Sequence, residues 1–267
     1  MWQKYLDRAI RYKMLADYYR AKDDRKYKYY NEKYLRNQRR FAEEYERQKI
    51  GGGRSDLPSP SPEPREGGST RSNGRLRMLH AYTATPSMVD VYVNNRLIAQ
   101  RVPFAAITSY LRLPTGSYRM EVFPAGTKER AIVNQQLTVG ANPYTLAVVD
   151  DVSGQTNKAS LLTYEDDLQS VGARAKVRLI HLSPNAPRVD VAVKGGNVLF
   201  SNVGFTDARF ISIPPGNYDL EIRITGTNQV IYTIPRVQLD ARKIYSIFAV
   251  GRVRGNPAFR VLVVQDN

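Results

Sequence analysis

The chain has 267 residues, 40 Lys and Arg against 25 Asp and Glu, two His and no Cys. That length accommodates two cores, and the absence of cysteine excludes disulfides and thiolate metal sites. Two histidines are too few for a poly-histidine metal centre, and no apolar run is long enough to span a bilayer.

Residues 1–50 form a basic, Tyr-rich segment with fifteen Lys and Arg against eight acids and neither Pro nor Gly. Trp2, Leu6, Ile10 and Met14 recur every four residues, which predicts a helix with one apolar face. Tyr27, Tyr34 and Phe41 are seven apart, with Tyr30 three after Tyr27, a heptad-like stripe that predicts a short coiled coil. Asp23 and Asp24 are candidate caps for a second helix, so a hairpin broken near 21–24 and a single long helix both fit. Tyrosine is not a preferred zipper residue. The face formed by Trp2, Tyr27, Tyr30, Tyr34 and Phe41 is therefore expected to meet a partner or a second copy. The first twenty residues carry charge throughout and lack the apolar core of a secretory signal, so cytoplasmic synthesis is expected.

Residues 51–74, GGGRSDLPSPSPEPREGGSTRSNG, read as a flexible Gly/Ser/Pro tether with three bases and three acids.

The remainder says one thing twice. RMLHAYTATPSMVDVYV at 77–93 is echoed by RLIHLSPNAPRVDVAV at 178–193, and LPTGSYRMEVFPAGT at 113–127 by IPPGNYDLEIRITGT at 213–227. A period near 100 residues is the size of an independent domain. The two repeats are placed at 75–168 and 174–267. Each offers about seven short strands, rich in Val, Ile and Tyr and bounded by Gly, Pro and Asn, with no intervening helix. The expected fold is mainly β: two tandem antiparallel β-sandwiches, immunoglobulin-like or prealbumin-like, preceded by an α-helical arm.

Most matched residues read as structural. Pro114 and Gly116, with Pro214 and Gly216, suit tight turns; Asn94–Arg96 and Lys194–Asn197 suit hairpins. His80 and Asp90, with His181 and Asp190, flank a Pro-containing loop in each copy. An imidazole–carboxylate bond clamping that loop is the expected role. Catalysis is disfavoured because the loop hydroxyls Thr83 and Ser183 lie in no nucleophile-elbow motif. Asp150, Asp151, Asp166 and Asp167 read as solvated turn residues rather than metal ligands. Phosphate-loop and dinucleotide fingerprints are absent, and no metal or cofactor is expected.

Charge separates the copies. Residues 75–171 carry a net +1, whereas 172–267 carry thirteen bases against six acids. Arg236, Arg242, Lys243, Arg252 and Arg254 fall near strand ends, where they would form a basic rim for polyanions if those ends meet. No recognised nucleic-acid module accompanies them, so specific nucleic-acid binding is not expected.

The repeated residues also resemble a bacterial family, domain of unknown function 4397. Its pattern of H-x-S-P-x-A-P-x-V-D-V, then V-x-F, then L-P-A-G-x-Y falls on His181, Ser183, Pro184, Ala186, Pro187, Val189 and Asp190, then Val203 and Phe205, then Pro214, Gly216 and Tyr218. The first copy keeps His80, Pro86, Asp90, Val102, Phe104, Pro114, Gly116 and Tyr118. The resemblance implies tandem sandwiches of cell-surface or envelope character without established catalytic residues. The Tyr- and Lys-rich arm is similar, less specifically, to spore-coat segments. The expected function is a non-enzymatic structural or adhesive protein, the expected partners being further copies or other envelope or coat proteins. The alternative is a module binding an anionic glycan or other polyanion through the basic second repeat.

Overall fold

The computed structural model describes residues 23–50, 73–84, 88–153, 155 and 158–267, with Tyr5, Arg8, Ala9, Tyr12, Ala16 and Tyr19 ahead of them. Trp2, the 51–72 stretch of the tether and the side chain of Phe41 lie outside the described residues.

The arm contains α1 (Asp24–Ile50). Asp23 caps it, its carboxylate accepting the Lys26 N–H at 3.0 Å. The predicted coiled coil does not form among the described residues. Among the described residues α1 is the one continuous helix, and its aromatic face turns inward on the same chain. Tyr12 and Tyr19 stack on Tyr30, with centroids 6.4 and 5.5 Å away. Tyr34 is buried, and Tyr5 packs on the core of the first sandwich. A tyrosine stripe serves this role because its rings pack while its hydroxyls stay near polar partners, whereas a zipper needs aliphatic knobs.

The first domain holds β1 (Asn73–His80), β2 (Met88–Val93), β3 (Arg96–Pro103), β4 (Leu111–Pro114), β5 (Gly116–Pro124), β6 (Val133–Val139), β7 (Pro143–Asp150) and β8 (Ala159–Glu165). The second repeats the set as β9 (Ala175–Leu182), β10 (Val189–Val193), β11 (Val198–Val203), β12 (Ala208–Ile213), β13 (Gly216–Ile224), β14 (Val230–Leu239), β15 (Ile244–Val250) and β16 (Arg260–Gln265). Each domain stacks two four-stranded sheets: β4-β1-β7-β8 on β3-β2-β5-β6, and β12-β9-β15-β16 on β11-β10-β13-β14. β1 runs parallel to β7, and β9 to β15, so the sandwiches are not wholly antiparallel. Eight strands in this order also differ from the A-B-E-D and C-F-G sheets of immunoglobulin domains.

Side chains alternate as the strand period requires. Tyr118, Met120 and Val122 on β5 face the first core, and Leu220 and Ile222 on β13 face the second. The hairpin asparagines adopt left-handed backbone, with φ of 47° at Asn94 and 65° at Asn95. Each Pro-x-Gly-x-Tyr turn closes on itself: the Tyr118 hydroxyl donates to the Pro114 carbonyl at 2.8 Å, and Tyr218 to Pro214 at 2.7 Å.

A third core joins the two sandwiches. Leu79, Ala81, Ala147 and Val149 pack against Ile180, Leu182, Phe248 and Val250, all essentially inaccessible. The sheets containing β1 and β9 are thus buried on both faces, which accounts for the near-continuous burial of these strands, polar residues included.

Candidate functional site

Two groups of residues define the molecule's chemistry: a buried charged cluster between the sandwiches and an exposed basic end of the second.

In the buried cluster, Arg77 on β1 and Arg178 on β9 occupy matched positions, as do Thr145 on β7 and Ser246 on β15. Arg77 Nε donates to Thr145 Oγ1 at 2.8 Å, and Arg178 Nε to Ser246 Oγ at 3.1 Å. Those hydroxyls donate in turn to Asp166 and Asp266, at 2.8 and 2.7 Å. The arginines then cross between domains: Arg77 Nη1 reaches Asp266 at 2.7 Å, and Arg178 Nη2 reaches Asp166 at 2.5 Å. One aromatic ring covers each guanidinium, Tyr110 at 4.7 Å from Arg77 and Phe210 at 5.3 Å from Arg178. The copies differ here, since the Tyr110 hydroxyl also donates to Asp166 at 2.5 Å. Burial pushes the Tyr110 phenol well above its usual range; Arg77 opposes that shift and Asp166 adds to it. Two positive and two negative groups balance, so the dry interface carries no net charge.

Asp166 was expected to be a solvated turn residue; instead it is 3% exposed and serves both domains. Asp150 also works between domains: it accepts from Thr83 and from Arg252, whose Nη2 is 2.9 Å away.

The expected imidazole–carboxylate bond is not among the hydrogen bonds of these residues. His80 Nδ1 faces the Val102 carbonyl at 3.1 Å, and the Ser183 N–H lies 3.4 Å from His181 Nδ1. Asp90 accepts from the backbone of Arg101 and Gly126 at 2.6 and 2.9 Å, and Asp190 from Asn202 and Gly226 at 2.7 and 3.1 Å. Arg101 and Asn202 carry left-handed φ of 51° and 53° at matched strand bulges. Each aspartate therefore ties a bulge to a neighbouring turn without the histidine. Burial opposes ionisation of Asp190, but the donors from Asn202, Gly226 and Thr225, with Arg223 nearby, hold its carboxyl below the usual range. Burial, opposed by backbone carbonyls, holds both imidazoles below theirs. The Ser183 hydroxyl is fully buried and makes no hydrogen bond to His181, so no nucleophile–base pair forms there.

The predicted basic rim divides in two. Arg242 and Lys243 precede β15, and Arg252 and Arg254 follow it. The strand's seven residues separate the two groups by roughly 20 Å. Arg252 is committed to Asp150 and Thr83, while Arg254 is exposed. At the other end Arg236 and Arg242 are exposed and Lys243 is half-buried. The Arg242 N–H donates to the Arg174 carbonyl at 3.0 Å, which brings a fourth base alongside. Of the proposed arm residues, Tyr30 and Tyr34 pack within the chain, and Tyr27 lines a cleft with Tyr34 and Arg75.

Sequence reasoning missed Arg77, Arg178, Asp166 and Asp266. A signal existed: both copies place Arg three residues before the repeated His, and Asp one residue beyond the last strand.

The family model described as Domain of unknown function (DUF4397) matches residues 74–192 and again 175–267. No curated protein matches the chain. Among solved structures, a family 26 carbohydrate-binding module of Eubacterium rectale Amy13K, in complex with maltoheptaose, aligns at 9% identity. The alignment covers 70% of this chain and 96% of that one, with a TM-score of 0.23. The Bacillus anthracis TIE protein aligns at 12% identity over 68% of this chain and 34% of its own, with a TM-score of 0.22. Likeness at that level carries no argument about function.

Proposed function

Because this chain belongs to the DUF4397 family, as a tandem pair of its domains, we propose that it is a non-enzymatic binding and display module whose second sandwich engages an anionic polymer, with anionic glycans the leading class. One observation carries the reading. Arg236 near the end of β14, and Arg242 and Lys243 in the turn leading to β15, lie toward one end of that sandwich, and none makes an ion pair with a described residue. Unpaired cations at a strand end attract polyanions and release counterions on binding. The fused interface supports a display role, since it holds the two sandwiches as one body. We read the eight-strand order, with its central parallel pair, as the prealbumin-like form.

The test is co-sedimentation of the full chain with polygalacturonate and, as a neutral control, amylose. The reading expects binding to the anionic polymer alone, weakened at least fivefold by combined Arg236→Ala, Arg242→Ala and Lys243→Ala. Equal binding to amylose, or no binding to polygalacturonate, heparin or polyglutamate, overturns it.

A second reading, assembly through the arm, draws support from Tyr29 and Leu35, which are 54% and 42% exposed on α1. The setting we propose, deposition on a spore or cell surface after cytoplasmic synthesis, rests on the composition of the arm. Recovery of the protein only from vegetative cytosol excludes it.

A further inference from the structure

Among the core differences between the two copies, one sits on the strand hairpin beside β2. Val91 pairs with Ala99 in the first sandwich, and Val191 pairs with Phe200 in the second. Ala99 therefore stands where the second copy buries a phenyl ring, 3% exposed within its own core. A neighbouring difference adds to this one. β12 pairs with β9 through six residues, whereas β4 pairs with β1 through four. Residues 107–110 then meet β1 at the Leu79–Ile107 bridge and through Thr108.

A missing ring and a shortened edge strand leave a cavity of about 620 Å³ in the first sandwich. Leu76, Met78, Ile98 and Met120 are among its walls, and Tyr34 of α1 borders it. That volume falls within the range of roughly 300–1,000 Å³ typical of small-molecule sites.

Arg77 lines the same cavity. Its side chain is 3% exposed; Nε and Nη1 are taken by Thr145 and Asp266, and Nη2 is buried without a hydrogen-bond partner. A buried charged N–H with no acceptor is costly. A carboxylate is the strongest acceptor for a guanidinium. A cleft of about 760 Å³ shares Tyr34, Arg77 and Tyr110 with the cavity; it adds Arg75 and Arg112, and Asp266, which Arg77 already balances, so the two further arginines favour an anionic head group.

We propose that the first sandwich binds a small amphipathic carboxylate, its apolar chain beside Ala99 and its carboxylate at the Arg77 end, where Arg75 and Arg112 lie. The second sandwich is the closed copy, filled by Phe200. This site is separate from the basic end and does not depend on polymer binding there.

Isothermal titration of the full chain tests it, with decanoate as probe and decanol as the uncharged counterpart. Decanoate is expected to saturate a single site and to bind at least tenfold more tightly than decanol. Ala99→Phe, which restores the ring of the second copy, should weaken decanoate at least tenfold. If that variant does not fold, Ala99→Leu replaces it with the same expectation. The proposal is overturned by absence of saturable decanoate binding to the wild type, by decanol binding equally well, or by unchanged affinity in the folded cavity-filling variant.

Discussion

Arg178 and Asp166 meet at 2.5 Å across the two domains, each side chain only 1% exposed. Twelve residues separate them in sequence, yet they belong to different sandwiches. Removing one partner leaves a bare charge in a dry interface, a loss of about 3–5 kcal/mol. Arg178→Ala and Asp166→Ala should each lower the urea midpoint by that equivalent. Replacing all four charges, as Arg77→Met, Arg178→Met, Asp166→Leu and Asp266→Leu, should cost far less, because desolvation offsets most of the gain from such pairs. Denaturation curves on the three proteins check the contrast.

Much of this architecture is legible in the sequence, and the reason is local. Strand alternation, the Asn94–Asn95 turn and the Pro-x-Gly-x-Tyr segments are written within a few residues of one another. What escaped notice is non-local. Each domain has eight strands against the seven its pattern suggests; the added one, β3 (Arg96–Pro103) in the first, is weakly marked because its residues are mostly half-buried or exposed and it bends at the left-handed Arg101. The same strand explains the V-x-F motif: Val102 enters the first core and Phe104 packs on the interdomain core. The charged cluster was hidden for a similar reason, since Arg77 and Asp266 are 189 residues apart. The basic rim failed as a unit because nearness to strand ends does not say which end.

The aspartate clamps should differ in strength. Asp90 is 4% exposed and Asp190 is only half-buried. Asp90→Ala removes the acceptor of the part-buried bonds from the Arg101 and Gly126 amides, at about 1–3 kcal/mol in total. Asp190→Ala leaves amides that solvent reaches more readily, so its penalty should be smaller. Thermal melts of the two variants measure the difference.

The tyrosine turns follow the same logic. Tyr118→Phe removes a buried hydroxyl bond to Pro114 and should cost about 1 kcal/mol. Tyr218→Phe, at an exposed turn, should cost less, as denaturant midpoints will show.

Both histidines should resist protonation. Their folded pKa values lie below the ordinary 6.5, so the unfolded chain takes up protons first as pH falls. Their contribution is whole above 6.5 and declines as pH drops through it. Asp190, whose carboxyl is also held low, adds a loss in the same direction at more acidic pH. Because the chain holds only two histidines, an NMR titration of the imidazole C–H signals reads both directly. Midpoints below 6.5 are expected, with a melting temperature that falls from pH 7 to pH 5.

The claim that the second sandwich binds polyanions through one end is tested most directly by the salt dependence of polygalacturonate affinity. Each cation that releases counterions contributes somewhat under one unit to the slope of log K against log salt. The account predicts that the Arg236→Ala, Arg242→Ala, Lys243→Ala variant has a slope shallower than wild type by roughly 2 units. An unchanged slope would contradict it.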